Sequence, residues 1–141
     1  MNLTYWTPFA IVIIGNVLYH NIAKITPITV PPFMALSVTY LVSFTICALV
    51  YIFTGHSFRQ DIQTLNWASI AWGVALVAIE FGYILLYRVG WKVSTASLMV
   101  NITGAILLAI IGVLFYKEIL SLKQIVGIDL CLLGIFFLRS L

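Results

Sequence analysis

Residues 1–23 carry no charged side chain and neither do residues 25–58, so Lys24 alone interrupts two long neutral runs. The pattern continues down the chain. Residues 62–79 and 93–116 are uncharged, and residues 119–138 are apolar apart from Lys123 and Asp129. Charge near the centre of a bilayer costs roughly 2.5 to 3.5 kcal/mol on insertion scales, so lipid is the solvent that selects neutral runs of this length. A spanning helix takes about 20 residues, and five would use about 100 positions, leaving the rest for short connectors and ends. Composition agrees: 63% of the 141 residues are hydrophobic and 8% charged, whereas a soluble domain carries about 25% charged residues. A soluble enzyme, a nucleic-acid binder and a disordered tail are excluded on this ground.

The charge gaps and turn residues predict an all-α integral membrane protein with five transmembrane helices at about 6–23, 33–54, 66–88, 93–116 and 121–139. Pro27, Pro31 and Pro32 break the chain between the first two spans, and Pro32 suits an early helical position. Residues 55–61 are the most polar stretch and read as the one substantial loop. Arg88-Val89-Gly90-Trp91-Lys92 reads as a tight basic hairpin. Trp6, Tyr51, Trp67, Trp91 and Tyr116 fall near span ends, where amphipathic rings favour the headgroup level. Cys47 and Cys131 lie in apolar runs and read as packing residues, not as a disulfide or metal pair. No basic residue precedes the first apolar run, so no cleaved signal peptide is expected.

The basic residues divide almost evenly between the two sides. With the N-terminus outside, Lys24, Arg88, Lys92 and Arg139 face the cytoplasm, against Arg59, Lys117 and Lys123 outside. Counting the N-terminal amine balances the two sides, so the positive-inside rule selects no orientation. Two readings stay open: one topology fixed by other factors, or dual topology in which two copies pair antiparallel.

Polar residues inside the neutral runs are the candidate functional groups. Glu80 lies near the middle of the third span, where an ionised carboxylate is costly unless paired or hydrated, and binding and releasing a proton is the chemistry such a group offers. Tyr83 and Tyr87, at i+3 and i+7, share its helix face. The plain alternative is a structural carboxyl that fixes helix packing. In span four, Ser94, Ser97, Asn101, Gly104, Ala105 and Gly112 form one stripe, suited to helix packing or, at Asn101, to lining a cavity. Span one presents Asn16, Tyr19 and His20 on a common face, and His20 has an intrinsic affinity suited to a proton relay, or else meets the interface at the helix end. Asp129 points away from the small-residue face of Gly127, Cys131 and Gly134, so it needs a partner helix of this or another subunit and is expected to serve assembly. Lys117 and Glu118 are expected to be interfacial. No metalloprotease pair, Cys-x-x-Cys, phosphate loop or nucleophile elbow occurs, two histidines cannot build a multi-His metal site, and no selectivity-filter loop is present. No cofactor, metal or enzymatic activity is expected.

From Trp67 onward the pattern resembles the EamA-type domain of the drug/metabolite transporter superfamily. Phe81-Gly82-Tyr83-Ile84-Leu85-Leu86-Tyr87 with Trp91-Lys92-Val93-Ser94-Thr95-Ala96-Ser97 is similar to that domain's third-to-fourth helix junction. The likeness continues at Gly112-Val113-Leu114-Phe115-Tyr116-Lys117-Glu118-Ile119-Leu120-Ser121, at Gln124-Ile125-Val126-Gly127 and at Gly134, and is most specific where Glu118 opens the turn. Gly15-Asn16 and Pro32-Phe33 are consistent with it. Two cavity positions depart from the family: Ser37, Thr39 and Tyr40 stand where it often has a basic residue, and Gly104 where it commonly has proline. The resemblance therefore extends to the fold and not to a substrate class.

It implies a single EamA-like domain over residues 1–141, half of a ten-helix fold, as in the five-helix bacterial and archaeal branch, located in the inner membrane of a prokaryote. An odd helix number inverts each successive repeat, so a lone repeat must recover its second half from another chain, which the charge balance permits as an antiparallel homodimer. The expected function is proton-coupled export or exchange of a small metabolite or cationic compound through a cavity lined by Glu80, Tyr83, Tyr87, Asn16, Asn101 and His20. The alternatives are a non-transporting membrane subunit that stabilises a partner protein, and a lipid-carrier flippase. Reporter domains fused after Leu141 separate the topologies: comparable signals from both sides of the membrane establish dual insertion, and a one-sided signal removes the antiparallel pair.

Overall fold

The protein is described by a computed structural model over residues 3–138. Lipid offers no hydrogen-bond partner to the backbone, so the neutral runs close their own bonds as helices. These are α1 (Leu3–Ile25), α2 (Pro32–Phe53), α3 (Phe58–Thr64), α4 (Trp67–Arg88), α5 (Val93–Phe115) and α6 (Leu122–Leu138). No strand occurs among the described residues. Helices α1, α2, α4 and α5 are long and apolar enough to cross a membrane, by length and composition. Helix α6 covers the fifth expected run in 17 residues. Residue 139, where that run was expected to end, and the Arg139 of the charge balance lie outside the described residues, as does the N-terminal amine.

Local chemistry sets the helix ends. Pro32 opens α2 at its first turn, where the missing N–H costs nothing. The Asn66 side chain caps α4 by accepting from the Ala68 amide at 2.9 Å. Gly90, at φ +99°, takes a backbone conformation that L side chains rarely adopt and turns the chain from α4 toward α5. One expectation needs correcting: residues 55–61 are not wholly loop, because α3 begins at Phe58. Its attachment to α2 is side-chain chemistry. The Tyr51 hydroxyl donates to Asp61 Oδ2 at 2.7 Å, and His56 Nδ1 lies 3.8 Å from the same oxygen.

The chain forms two compact units, Met1–Gly90 and Trp91–Leu141. In the first, α4 packs against both α1 and α2, and in the second α5 packs against α6. The first unit is inverted relative to a soluble core. His20, Tyr83 and Tyr87 are buried with Leu36 and Ile84, whereas Ile13, Val17, Leu41, Ile70 and many other aliphatic side chains are exposed. Between helices in lipid there is little hydrophobic driving force, so packing and polar contacts hold them together.

The second unit turns sharply after α5. Lys117 adopts φ +54°, which directs the Glu118 amide back to the Gly112 carbonyl at 3.0 Å, where the Tyr116 amide also donates at 3.1 Å. A Cβ at Gly112 would stand 2.5 Å from a Glu118 carboxylate oxygen, so glycine lets that side chain fold against the helix. A left-handed conformation costs an L residue about 1–2 kcal/mol, part of which glycine gives back as unfolded-state entropy. Lys117→Gly is expected to stabilise the protein by about 1 kcal/mol, read as a later unfolding transition by circular dichroism in detergent. An unchanged or earlier transition would contradict the turn geometry.

Candidate functional site

Helix α4 presents Glu80, Tyr83 and Tyr87 to α1 and α2. Glu80 stands eight residues before Arg88, about 12 Å along the axis, and so lies deep in a hydrocarbon layer of about 30 Å. It is half-buried. Helix α1 runs beside α4 in register, so that Tyr19 meets Tyr83 and His20 meets both Tyr83 and Tyr87. The ring centroids are 5.7 Å apart for Tyr19 and Tyr83, 4.7 Å for His20 and Tyr83, and 6.0 Å for Tyr83 and Tyr87.

The buried centre of this cluster is a hydrogen bond of 2.9 Å between the Tyr87 hydroxyl and His20 Nδ1, with the tautomer deciding which group donates. His20 is 4% exposed. Its Nε2 atom and the Tyr19 hydroxyl are buried with no hydrogen-bond partner among the described residues. Toward the end of the two helices, Lys24 Nζ donates to the Tyr87 carbonyl at 3.3 Å and lies 5.7 Å from the Tyr87 ring centroid. Arg88 donates to the carbonyls of Pro27, at 3.2 Å, and Val30, tying the α1–α2 connector to the end of α4.

On the other side of Glu80 lies a cavity of about 200 Å³ between α1, α2 and α4. Tyr19, Thr26, Thr39 and Glu80 supply its polar lining, and Ile22, Leu36 and Ile84 are among its apolar walls. The Glu80 carboxylate also acts electrostatically on the hydroxyls of Tyr19 and Tyr40, and the Tyr40 hydroxyl faces it without meeting strict hydrogen-bond geometry. Glu80 forms no salt bridge among the described residues.

Of the residues expected at the site, Glu80, Tyr83, Tyr87 and His20 come together in the first unit. Asn16 is exposed on α1, one turn before His20. Asn101 is in the second unit, where it lines an open groove of about 490 Å³ with Gln124, Gly127 and Cys131. Asp129 is exposed on α6 and forms no salt bridge among the described residues. A Cβ at Gly127 or Gly134 would meet nothing within 4 Å. No group of three His, Cys, Asp or Glu residues fit for a metal ion occurs among the described residues.

The family resemblance put Thr39 and Tyr40 at a cavity position, and periodicity put Tyr19 on the face of Asn16 and His20, but none of the three, nor Lys24, was expected as a site residue. A signal existed for Tyr40: it lies well inside the second neutral run, away from the headgroup level that tyrosine favours.

Residues 4–140 match the model of the EamA-like transporter family. No curated protein and no solved structure matches the chain.

The buried His20–Tyr87 bond has a measurable energy. Interhelical hydrogen bonds in membrane proteins couple by about 0.6 kcal/mol on average and up to about 1.7. A double-mutant cycle with His20→Phe and Tyr87→Phe, read by unfolding in detergent, is expected to give a coupling in that range. Additive effects would show that the two groups do not interact.

Proposed function

Because the chain belongs to the EamA-like transporter family, we propose that it is a secondary active transporter which exports or exchanges a small metabolite or cationic compound against protons. It is a multi-pass membrane protein, and the proposed location is the inner membrane of a prokaryote. The observation that carries the reading is Glu80: a half-buried carboxyl at mid-membrane depth, lining a cavity and facing hydroxyls, with no salt bridge among the described residues. Such a carboxyl is stable in two ways, protonated or beside a cation, and alternating between them couples a proton to a substrate. The His20–Tyr87 pair, between Glu80 and the Lys24–Arg88 end of the helices, is the proposed proton route. Asn16 and Asn101 are assigned to substrate passage as neutral polar groups within apolar spans.

In this reading α6 is the fifth span, since 17 residues is the lower limit for crossing. A second copy supplies the other half of a ten-helix arrangement, and the two halves rock around a midplane site to give alternating access. Asp129, Gly127 and Gly134 are the proposed assembly contacts. The exposure of Asp129 and Gly127 and the open space beside Gly134 also support a second reading, a non-transporting subunit that stabilises a partner protein through these residues.

Reconstitution in liposomes tests the main reading. Glu80→Gln is expected to abolish proton flux and substrate accumulation while the variant inserts and folds as the parent does. If that variant carries protons and substrate at parental rates, Glu80 is not the coupling group.

A further inference from the structure

Apart from the Tyr19 hydroxyl, the polar lining of the Glu80 cavity offers hydrogen-bond acceptors. Thr26 Oγ1 donates its only proton to the Ile22 carbonyl at 3.1 Å, and Thr39 Oγ1 donates to the Ala35 carbonyl at 3.0 Å. Each threonine therefore has only lone pairs left to offer. Glu80, when ionised, accepts and does not donate. The Tyr19 hydroxyl is buried without a partner, and if it turns its proton toward the carboxylate its lone pairs also face the cavity. No lysine or arginine lines the space. An anion would meet four oxygen-bearing side chains and no fixed cation. A cation without N–H groups would satisfy the charge of Glu80 but leave the hydroxyl lone pairs unpaired.

We propose that this cavity binds a protonated primary or secondary amine with a compact apolar body. The ammonium would lie on Glu80 with its N–H groups shared among Thr39, Tyr19 and the carboxylate, and the apolar body against Ile22, Leu36 and Ile84. The volume of about 200 Å³ sets the scale of that body, since a dry cavity of about 150 Å³ accommodates benzene. The inference rests on the transport reading above for its purpose and on the donor–acceptor balance of the lining for its chemistry.

The test is calorimetric binding to the full chain in detergent, with benzylammonium, benzyltrimethylammonium and benzoate as probes, followed by flux of each in liposomes. Benzylammonium is expected to bind at least about 10-fold more tightly than its trimethyl analogue, because sites built to pair an N–H reject ligands that lack it. Benzoate is expected not to bind. Thr39→Val and Tyr19→Phe, each checked for parental helicity, are expected to narrow the ratio between the two cations, whereas a merely steric preference would leave the ratio unchanged. Equal binding of the two cations, binding of benzoate, an unchanged ratio in both variants, or no binding of benzylammonium would each overturn the inference. The two failures are distinct: proton-coupled flux of benzoate that Glu80→Gln abolishes would sink the amine assignment and keep the transporter. Tight benzylammonium binding with no flux of any probe would keep the site and sink the transport reading.

Discussion

Lipid supplies no hydrogen bonds, and the organisation of the first unit follows from that constraint. Every polar group carried into the membrane must be satisfied by the chain or left available for something that enters. Ser37, Thr39 and Thr45 bond to carbonyls one turn back on their own helix. The Tyr87 hydroxyl and His20 satisfy one another across α1 and α4, and Arg88 draws on the connector carbonyls. After these pairings the Glu80 carboxyl remains, together with the buried Tyr19 and Tyr40 hydroxyls, His20 Nε2 and Arg88 Nε. Of these, Glu80 and Tyr19 line one cavity between α1, α2 and α4.

Much of the fold was legible because charge is so costly in a bilayer. The gaps between Lys24, Arg59, Arg88, Lys92 and Lys117, interrupted only by Asp61 and Glu80, hold the four long helices, whose ends fall within a few residues of those expected. Helix α3 was not legible, since seven residues are too few to show a period and its polar composition resembles a loop. The site was readable where spacing along one helix sufficed, as for Glu80, Tyr83 and Tyr87. It was not readable where register between helices decides: the resemblance put Thr39 and Tyr40 at a cavity position, but periodicity along α2 does not say that they face Glu80. Tyrosine is moreover ambiguous in such chains, because the same ring that anchors a helix at the headgroups serves as a buried hydroxyl deeper in. Glu118 illustrates a motif residue whose geometry only the fold explains, since its carboxylate lies where a side chain on Gly112 would have to go.

Each unit on its own buries little. The first has a small aromatic centre and the second two packed helices, and the glycines of α6 face open space. Small residues at helix surfaces are what membrane helices use to approach one another closely. A chain with this much unspent packing surface is suited to packing against further helices.

The way Arg88 is held has an electrical consequence. Its hydrogen-bond partners, the carbonyls of Pro27 and Val30, are neutral, so the guanidinium is fixed in place without being neutralised by them. A charge in that condition responds to the membrane voltage, at about 2.3 kcal/mol per 100 mV for a full crossing. A displacement that carries this end of α4 inward through the field would therefore work with or against the cell's resting potential. Whether the field holds this end of the unit at its membrane surface or draws it inward follows from the orientation in which the chain inserts.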